Sequence, residues 1–427
     1  MRPVTFLRSN VMRLLASPGY ASTRNRVARI RARLRGEPRA VHYFHQVDDP
    51  YSHLAVQKLD RLIESYPIPF QVHLVSGPAP AYQGSSEHFE NWALRDAASV
   101  AARYGTTLEA HTRPSPAAVD AANATLAPVL GDAGFARAAI AVGEALWRGD
   151  PVPAGGSDTD GHAAVAAGDA LRRRLGHYQG GMFHLDGEWF WGVDRIRHLE
   201  ARLMSEGLGS GSVLVPEPSP ADAGGLDADR VVLEYFPSLR SPYTAVGHAR
   251  VLDLVERSGV SIRLRPVMPM LMRGVPAPSA KQRYIITDAA REARARGVPF
   301  GRIVDPFGNP VRRAFALFPG AVALGRGMAF VTAYLRAAWA DGVDITTEHG
   351  LRTVAARAEV DWQTLTDAAS GVAWETELGE NLNDMLGAGL WGVPSFRVTG
   401  GNDPAPFACW GQDRIWRVED EIARRMR

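Results

Sequence analysis

A serine placed where a helix should begin is the residue of this sequence best suited to chemistry. The run Val231–Phe236 is rich in β-branched and aromatic side chains, which predicts a buried strand, and a short loop leads from it to Ser241-Pro242. Serine is favoured as an N-cap and proline at the first helical position. The Ser241 hydroxyl is therefore expected at the positive end of a helix, just past a strand, where α/β sheets bind small ligands and thiolates are stabilised. A purely structural helix start is the alternative.

Two stretches near the C-terminus contain residues of similar interest. Val393-Pro394 precedes an expected strand at 396–398, where proline is common as the first residue. Gln412-Asp413 stands at the start of the last expected helix, where Asp is a frequent N-cap. Each pair therefore also has an ordinary structural interpretation.

The composition excludes several kinds of site. Cys409 is the one cysteine in 427 residues, which excludes an intramolecular disulfide, a CxxC redox pair and a cysteine-based zinc site. The histidines form neither an HxxxH nor an HExxH motif, so no metal site is expected. No uninterrupted apolar run reaches the roughly 18 residues of a membrane span, and no transmembrane segment is expected. The net charge of +2 and the length are typical of a globular protein of two or three domains.

The first 39 residues differ from the rest in charge. They contain ten arginines and the single acid Glu37. One or two amphipathic helices are predicted, with arginines opposite an apolar face of Phe6, Leu7, Val11, Leu14 and Leu15. Arg8 and Arg13 interrupt any secretory h-region, so no signal peptide is expected. The simpler interpretation is an extension packed on or tethered to the body; the alternative is attachment to an acidic surface, a membrane or a partner. Nucleic-acid binding is not expected, because no aromatic residues are interleaved with these arginines.

The rest of the chain shows one order of elements twice. The first copy is predicted to run through a strand at 41–45, a helix from Asp48 to about 64, a strand at 70–75, helices to about 178, a hairpin at 182–191 and a helix from Asp194. The second copy is predicted to run through a strand ending at Phe236, a helix from Ser241, a strand at 261–267, helices from about 279 to 386, a hairpin at 395–410 and a helix from Asp413.

The correspondence extends to single residues. Pro50-Tyr51-Ser52 matches Pro242-Tyr243-Thr244, and Asp96 and Gly105 match Asp288 and Gly297 with identical separation. The sequence therefore predicts a tandem duplication, with a basic extension at 1–39, a domain at 40–206, a linker at 207–228 and a domain at 229–427. The fold class is α/β, with two tandem domains, each a small four-stranded mixed sheet with an inserted all-helical subdomain.

The order of elements resembles the thioredoxin fold with a helical insertion, as in the DsbA-like family. Within that family, the chain is most similar to 2-hydroxychromene-2-carboxylate isomerases and kappa-class glutathione transferases. The matching residues cover nearly all of 230–427, and the first copy matches more loosely. They are Tyr235-Phe236, Ser241-Pro242-Tyr243, Tyr284-Ile285-Ile286-Thr287-Asp288, Gly297-Val298-Pro299, Trp339-Ala340-Asp341-Gly342, Asn381, Gly392-Val393-Pro394-Ser395-Phe396 and Trp410-Gly411-Gln412-Asp413-Arg414.

The resemblance implies two thioredoxin-like domains and glutathione as a cosubstrate. Ser241 would face the glutathione sulfur and stabilise the thiolate rather than act as a nucleophile. The peptide bond before Pro394 would be cis, and the Val393 backbone would pair with the glutathione cysteinyl backbone as an added strand does. Asp413 would meet the γ-glutamyl end. Gln412 and Asn381 would also bind glutathione. Tyr243, Met270 and Tyr284 would contact a small-molecule substrate. Met270 and Tyr284 are equally well explained as core residues.

The first copy departs from this pattern at both decisive positions. Asp49 stands where Ser241 stands, and Gly181 stands where Pro394 stands. A carboxylate beside a thiolate raises the pKa of the thiol, and glycine does not hold a cis bond at low cost. The first copy is therefore interpreted as a scaffold that lost its site, in a monomeric pseudo-dimer or a homodimer.

Three functions are consistent with the sequence. The first is a cytoplasmic, glutathione-dependent isomerase or transferase acting on a small conjugated or aromatic substrate. The second is a catalytically silent thioredoxin-like binding module. The third is a DsbA-family oxidoreductase homologue, against which the missing CxxC argues.

Overall fold

Two strands rich in β-branched and aromatic residues form the centres of two separate sheets. The strands are β1 (Val41–His45), β2 (Phe70–Leu74), β3 (Met182–Leu185), β4 (Glu188–Trp191), β5 (Val231–Phe236), β6 (Ser261–Leu264), β7 (Ser395–Gly400) and β8 (Phe407–Trp410). The strand orders are β2-β1-β3-β4 and β6-β5-β7-β8. In the first sheet, β1 is parallel to β2 and antiparallel to β3. In the second sheet, β5 is parallel to β6 and antiparallel to β7. The predicted four-stranded mixed sheets are confirmed.

Helices occupy most of the remaining chain. They are α1 (Pro3–Leu15), α2 (Pro18–Leu34), α3 (Pro50–Val56), α4 (Leu59–Ser65), α5 (Pro80–Gln83), α6 (Ser86–Ala101), α7 (Pro116–Leu126), α8 (Phe135–Arg148), α9 (Asp158–Leu175), α10 (Gly192–Ser205), α11 (Pro242–Ser258), α12 (Ser279–Ala295), α13 (Asn309–Ala323), α14 (Gly327–Arg336), α15 (Glu348–Arg357), α16 (Trp362–Ala369), α17 (Trp374–Gly387) and α18 (Ile415–Met426). Short 3₁₀ turns lie at Met270–Arg273 and Gln412–Arg414.

This computed structural model describes residues 3–84, 86–153, 155–209, 211–221 and 230–427. The chain divides into two units. The N-terminal unit contains residues 22–218 and 276–284, and the C-terminal unit contains residues 1–21, 219–275 and 285–427. Within the described ranges, no helix combines the length and the apolar character needed to cross a membrane.

These units differ from the predicted domain boundaries. The extension at 1–39 is divided between the units, because α1 and the first turn of α2 belong to the C-terminal unit and the rest of α2 belongs to the N-terminal unit. Part of the expected linker is fixed to the N-terminal unit, since the Leu214 and Val215 N–H groups donate to the Glu200 carboxylate. Its residues 210 and 222–229 lie outside the described residues.

Two predicted elements are shorter in the structure. The helix expected from 48 to 64 is divided into α3 and α4, with the break at Gln57-Lys58. There the Gln57 amide donates to the carbonyls of His53 and Thr107. The strand expected at 261–267 ends at Leu264. The Arg265 and Val267 N–H groups still donate to the Tyr235 and Pro237 carbonyls, so the segment continues beside β5 in a less regular form.

The site region of the C-terminal unit rests on a core between its sheet and two helices. Leu233, Phe396 and Val398 pack with Leu254 of α11 and Ile422 of α18, all of them buried. Burying an aliphatic or aromatic side chain of this size stabilises a fold by about 1.5–3 kcal/mol. This core fixes the start of α11 relative to β5 and β7.

Candidate functional site

Ser241 caps α11, as predicted. Its oxygen accepts a hydrogen bond from the Thr244 N–H at 3.1 Å, and its hydroxyl donates to the Val393 carbonyl at 3.3 Å. The side chain is buried, and Pro242 occupies the first helical position. The start of α11 and the loop before β7 therefore meet at one hydroxyl group, which brings two of the predicted site segments together.

The loop before β7 is held by close packing. Gly392 lies against the Trp410 ring, with which a Cβ at this position would collide, so the sequence requires glycine here. The Ser395 hydroxyl donates to the Gly392 carbonyl at 2.7 Å, and the bond between Val393 and Pro394 is cis, as the resemblance implied. No oxygen of the described residues accepts from the Val393 N–H. This N–H is therefore available to a ligand.

Gln412 and Asp413 lie on a 3₁₀ turn rather than in the first turn of α18. The buried Gln412 amide nitrogen donates to Glu292 at 3.1 Å and to the Asp413 carboxylate. The Asp413 side chain does not cap the turn or α18, which removes the simple capping interpretation. Gln412 Oε1 is buried and has no hydrogen-bond partner among the described residues, so an acceptor is left for a donor from elsewhere.

Asn381 is engaged by the protein itself. Its Oδ1 accepts from Arg265 Nε at 2.7 Å, and its Nδ2 donates to the Pro266 carbonyl at 3.0 Å. Arg265 also pairs with Glu234 at 2.8 Å and with Asp384. In this structure Asn381 therefore orients a buried ion-pair network, and its contact with glutathione stays a prediction.

Tyr243 is also bonded within its own unit. Its hydroxyl donates to Asp288 at 2.9 Å, and the matching Tyr51 hydroxyl donates to Asp96 at 2.8 Å. The equivalence predicted from sequence is thus a shared hydrogen bond. Because the first copy was expected to lack a site, a bond present in both copies favours a structural role for Tyr243 over substrate contact.

The two other predicted substrate residues lie in different units. Met270 is half-buried on the turn after β6 in the C-terminal unit. Tyr284 belongs to the N-terminal unit, where its ring lies edge-on to His177 at 4.9 Å and packs with Phe44 and Trp189. Tyr284 therefore has the core role that the sequence left open.

Arg273 is a candidate ligand-binding residue that the sequence reasoning missed. It ends the same 3₁₀ turn as Met270, on the segment whose Val267 N–H donates to the Pro237 carbonyl. Its Nε and Nη2 are buried and have no hydrogen-bond partner among the described residues, and burial lowers the pKa of its guanidinium to about 10. A buried guanidinium without a partner is costly and favours an anion. The sequence offered only the sign of its charge as a signal.

A family model now connects this geometry with known proteins. Residues 232–423 match the model of the DSBA-like thioredoxin domain, and this part of the C-terminal unit is hereafter called the DSBA-like domain. The match covers β5 to α18 of the C-terminal unit and therefore includes Ser241, Pro394 and Asp413. A comparison with curated proteins finds no match to this chain.

Solved structures give more distant likenesses. One is a 2-hydroxychromene-2-carboxylate isomerase, with 20% identity over 45% of this chain and 95% of that chain, and a TM-score of 0.37. A probable DsbA oxidoreductase from Streptomyces coelicolor has 22% identity over 46% and 91%, with a TM-score of 0.35. The cytosolic disulfide reductase DsbM from Pseudomonas aeruginosa, solved with GSH, has 22% identity over 44% and 97%, with a TM-score of 0.32.

The N-terminal unit has a different group at the position of the DSBA-like domain's serine. The Asp49 carboxylate caps α3 and accepts from the Ser52 N–H at 2.9 Å and the Ser52 hydroxyl at 2.8 Å. A Cβ on Gly181 would lie 2.8 Å from Asp49 Oδ2. Burial raises the pKa of Asp49 to about 6. At the start of α3, the space next to the Asp49 carboxylate is therefore occupied by the Gly181 backbone.

The thiol of the DSBA-like domain lies outside this arrangement. Cys409 is buried in β8, whereas the residue at the start of α11 is Ser241 rather than a cysteine. Among the described residues, no group of three His, Cys, Asp or Glu side chains is placed to hold a metal ion. The arrangement at α11 can therefore stabilise an incoming thiolate but does not itself supply a thiol.

Proposed function

We propose that the DSBA-like domain binds glutathione and uses its thiolate in an isomerase or transferase reaction on a small conjugated or aromatic substrate. The supporting observation is the Ser241 hydroxyl, which lies at the positive end of α11 and contacts the Val393 carbonyl. A ligand chain bound at the Val393 backbone would bring its sulfur towards this hydroxyl.

The chemistry follows from the two hydrogen bonds of Ser241. Its oxygen is held by the Thr244 N–H, while its proton is donated to a carbonyl and can be redirected to sulfur by rotation of the hydroxyl. A thiol has an ordinary pKa near 8.5, which a helix N-terminus and a donated hydrogen bond both lower. In an isomerase the thiolate adds to a conjugated double bond, a single bond rotates and the thiolate leaves. In a transferase the sulfur forms a bond to an electrophilic carbon and stays attached, while either a leaving group departs with its bonding electron pair or the π electrons of a conjugated double bond take up a proton from water.

The unsatisfied groups of the C-terminal unit suit the charges of glutathione. Glutathione carries one ammonium and two carboxylates. The ammonium would be received by Asp413 and the unpaired Gln412 Oε1, and a carboxylate by the unpaired Arg273 guanidinium. The Val393 N–H would pair with the cysteinyl backbone.

The N-terminal unit would then be a thioredoxin-like duplicate that lost this site. Its sheet has the same strand order, and its Asp49 would repel a thiolate. We propose that it replaces the partner subunit within one chain, so that the protein is a monomer. Light scattering coupled to size exclusion should give the mass of one chain, and an obligate dimer docked through the C-terminal unit would count against this arrangement.

A silent binding module is the second candidate. The polar atoms of Asn381 and the Tyr243 hydroxyl are already bonded to protein groups, as in a domain that has no ligand. A disulfide oxidoreductase has less support, since no thiol stands at the start of α11.

Calorimetric titration of the full chain with reduced glutathione tests the proposal. Binding heat is expected for the wild type, with affinity lowered at least about tenfold in Asp413→Ala, because a charged partner of the ammonium is lost. Asp194→Ala in the N-terminal unit is the matched control and should leave the affinity unchanged. Arg273→Gln should also weaken binding. If the wild type gives no heat, the silent module replaces the enzyme.

A further inference from the structure

Helix α1 contacts its unit through a narrow side that contains Ser9, Met12 and Ala16. Ser9 and Ala16 are buried, and Met12 packs against the helical core of the C-terminal unit. Arg294 Nη1 donates to the Ala16 carbonyl at 2.8 Å. These contacts fix which side of α1 faces the protein.

The opposite side of α1 is apolar and exposed. Val4, Leu7, Val11 and Leu14 are between 47% and 66% exposed. Their spacing places them within an arc of about 80° on the helix, roughly opposite Ser9, Met12 and Ala16. A surface helix normally buries its apolar stripe, so α1 is docked in the reverse sense.

Helix α2 repeats this orientation on the N-terminal unit. Asn25 donates to Glu188 at 3.2 Å, and Arg29 pairs with Asp186 at 3.0 Å. On the other side, a stripe of Val27, Ile30 and Leu34 is 39% to 82% exposed. On α2 the side chains that dock the helix are polar, and those that face away are apolar.

Unpaired arginines accompany both stripes. On α2, Arg26 and Arg33 lie on one side of the stripe and Arg31 on the other, and all three are exposed. Together with Arg8 and Arg13 of α1, they make no ion pair with any residue that the structure describes. The two stripes therefore combine exposed apolar area with a local excess of positive charge.

We propose that these two stripes, Val4/Leu7/Val11/Leu14 and Val27/Ile30/Leu34, bind the surface of an anionic lipid bilayer. Apolar side chains that enter the interface, flanked by arginines that reach phosphate groups, are the physical requirements of interfacial binding. A second copy of the chain fits less well, because stripe-to-stripe contact would bring the unpaired arginines of both copies together. The proposal is independent of the glutathione chemistry.

Sedimentation of the full chain with sucrose-loaded vesicles tests this. Binding is expected to vesicles of phosphatidylcholine with phosphatidylglycerol and not to pure phosphatidylcholine, and it should weaken as salt is raised. The variant Arg26→Gln/Arg31→Gln/Arg33→Gln should lower the partition coefficient by about 100-fold, at roughly fivefold per arginine. The variants Val27→Ser/Ile30→Ser/Leu34→Ser and Leu7→Ser/Val11→Ser/Leu14→Ser should each lower it at least about tenfold.

Matched variants control for charge and apolar area. Arg61→Gln/Arg137→Gln/Arg173→Gln removes three other exposed arginines, and Ile63→Ser/Val322→Ser/Val372→Ser removes three other exposed apolar side chains. Both should bind vesicles as the wild type does, and circular dichroism should show equal folding in all variants.

Three results would overturn the proposal. The first is no binding, or equal binding to neutral and anionic vesicles. The second is equal loss in the control and stripe variants. The third is a dimer in light scattering that the stripe variants convert to monomer, which would assign the stripes to a second copy of the chain.

Discussion

At the scale of single residues, Ser241 combines a structural and a proposed chemical role. Its oxygen caps α11 through Thr244, while its proton faces the Val393 carbonyl. The N-terminal unit performs the capping role with Asp49. Capping therefore does not require serine, and the two roles can be separated by substitution.

Ser241→Ala and Ser241→Asp should separate these roles. Alanine should raise the pKa of bound glutathione, leave its affinity nearly unchanged and cost about 1 kcal/mol of stability through the lost cap. Aspartate should keep the cap, as Asp49 does, and raise the thiol pKa further by repulsion. Ultraviolet absorbance of the thiolate against pH, together with urea unfolding, measures both. An unchanged pH profile in Ser241→Ala would remove Ser241 from the proposed chemistry.

The Tyr243 hydroxyl gives a second residue-scale prediction. Tyr243→Phe and Tyr51→Phe should each lower the free energy of unfolding by about 1–2 kcal/mol, since each removes one hydrogen bond to a buried carboxylate. Glutathione affinity should stay unchanged in both variants. A loss of binding or turnover in Tyr243→Phe but not in Tyr51→Phe would show that Tyr243 contacts the ligand.

At the scale of elements, a buried carboxylate in β5 organises the second sheet. Glu234 pairs with Arg265 and Arg397, and it lies 4.0 Å from the exposed Arg263. Arg265 continues the network to Asn381 of α17. The central strand is therefore connected to the helical insertion by charged hydrogen bonds.

Two of the three arginines near the Glu234 carboxylate, Arg265 and Arg263, offer a matched pair of variants. Arg265→Met should lower the free energy of unfolding by about 1–3 kcal/mol, because it removes the hydrogen bonds to Glu234 and Asn381 in a buried place while Arg397 still pairs with Glu234. Arg263→Met should cost less than about 0.5 kcal/mol, since its side chain is mostly in water. Urea denaturation of both variants measures the difference, and equal losses would show that the network contributes little.

At the scale of the whole molecule, buried histidines differ between the two units. In the described N-terminal unit, burial lowers the pKa of His45 to about 3 and of His53 and His73 to about 4, and it also lowers the pKa of His42 and His184. In the C-terminal unit, burial lowers the pKa of His248 to about 4. The N-terminal unit therefore keeps more imidazoles neutral by folding.

The N-terminal unit should consequently lose stability first in acid. Between the unfolded pKa near 6.5 and a folded pKa near 4, the unfolded chain binds more protons, so stability falls as pH falls, by roughly 3 kcal/mol for each fully shifted histidine. Asp49 acts in the opposite direction, because its raised pKa favours folding at low pH. Hydrogen exchange by mass spectrometry, corrected for intrinsic rates, should show that the N-terminal unit loses protection at a higher pH than the C-terminal unit does. Earlier loss of protection in the C-terminal unit, or no change in the N-terminal unit down to pH 4, would contradict the assignment.

The sequence alone determined the local features of this protein. Strand β1, the hairpin of β3 and β4, and the cap at Ser241 were predictable, because side-chain alternation and capping depend on neighbours along the chain. The sequence also matched Tyr51 with Tyr243 and Asp96 with Asp288. In the structure each tyrosine hydroxyl donates to the aspartate of its own unit.

The tertiary structure alone decided which groups meet and which stay unpaired. Asn381 takes its partners from Arg265 and Pro266, more than one hundred positions away. The Nε and Nη2 atoms of Arg273 are buried with no hydrogen-bond partner among the described residues. Helix α1 was recognisable as amphipathic, yet it docks through Ser9, Met12 and Ala16, and its wider apolar stripe faces out. Periodicity shows that a helix has two sides, but only the shape and charge of the surface beneath it select the one that is buried.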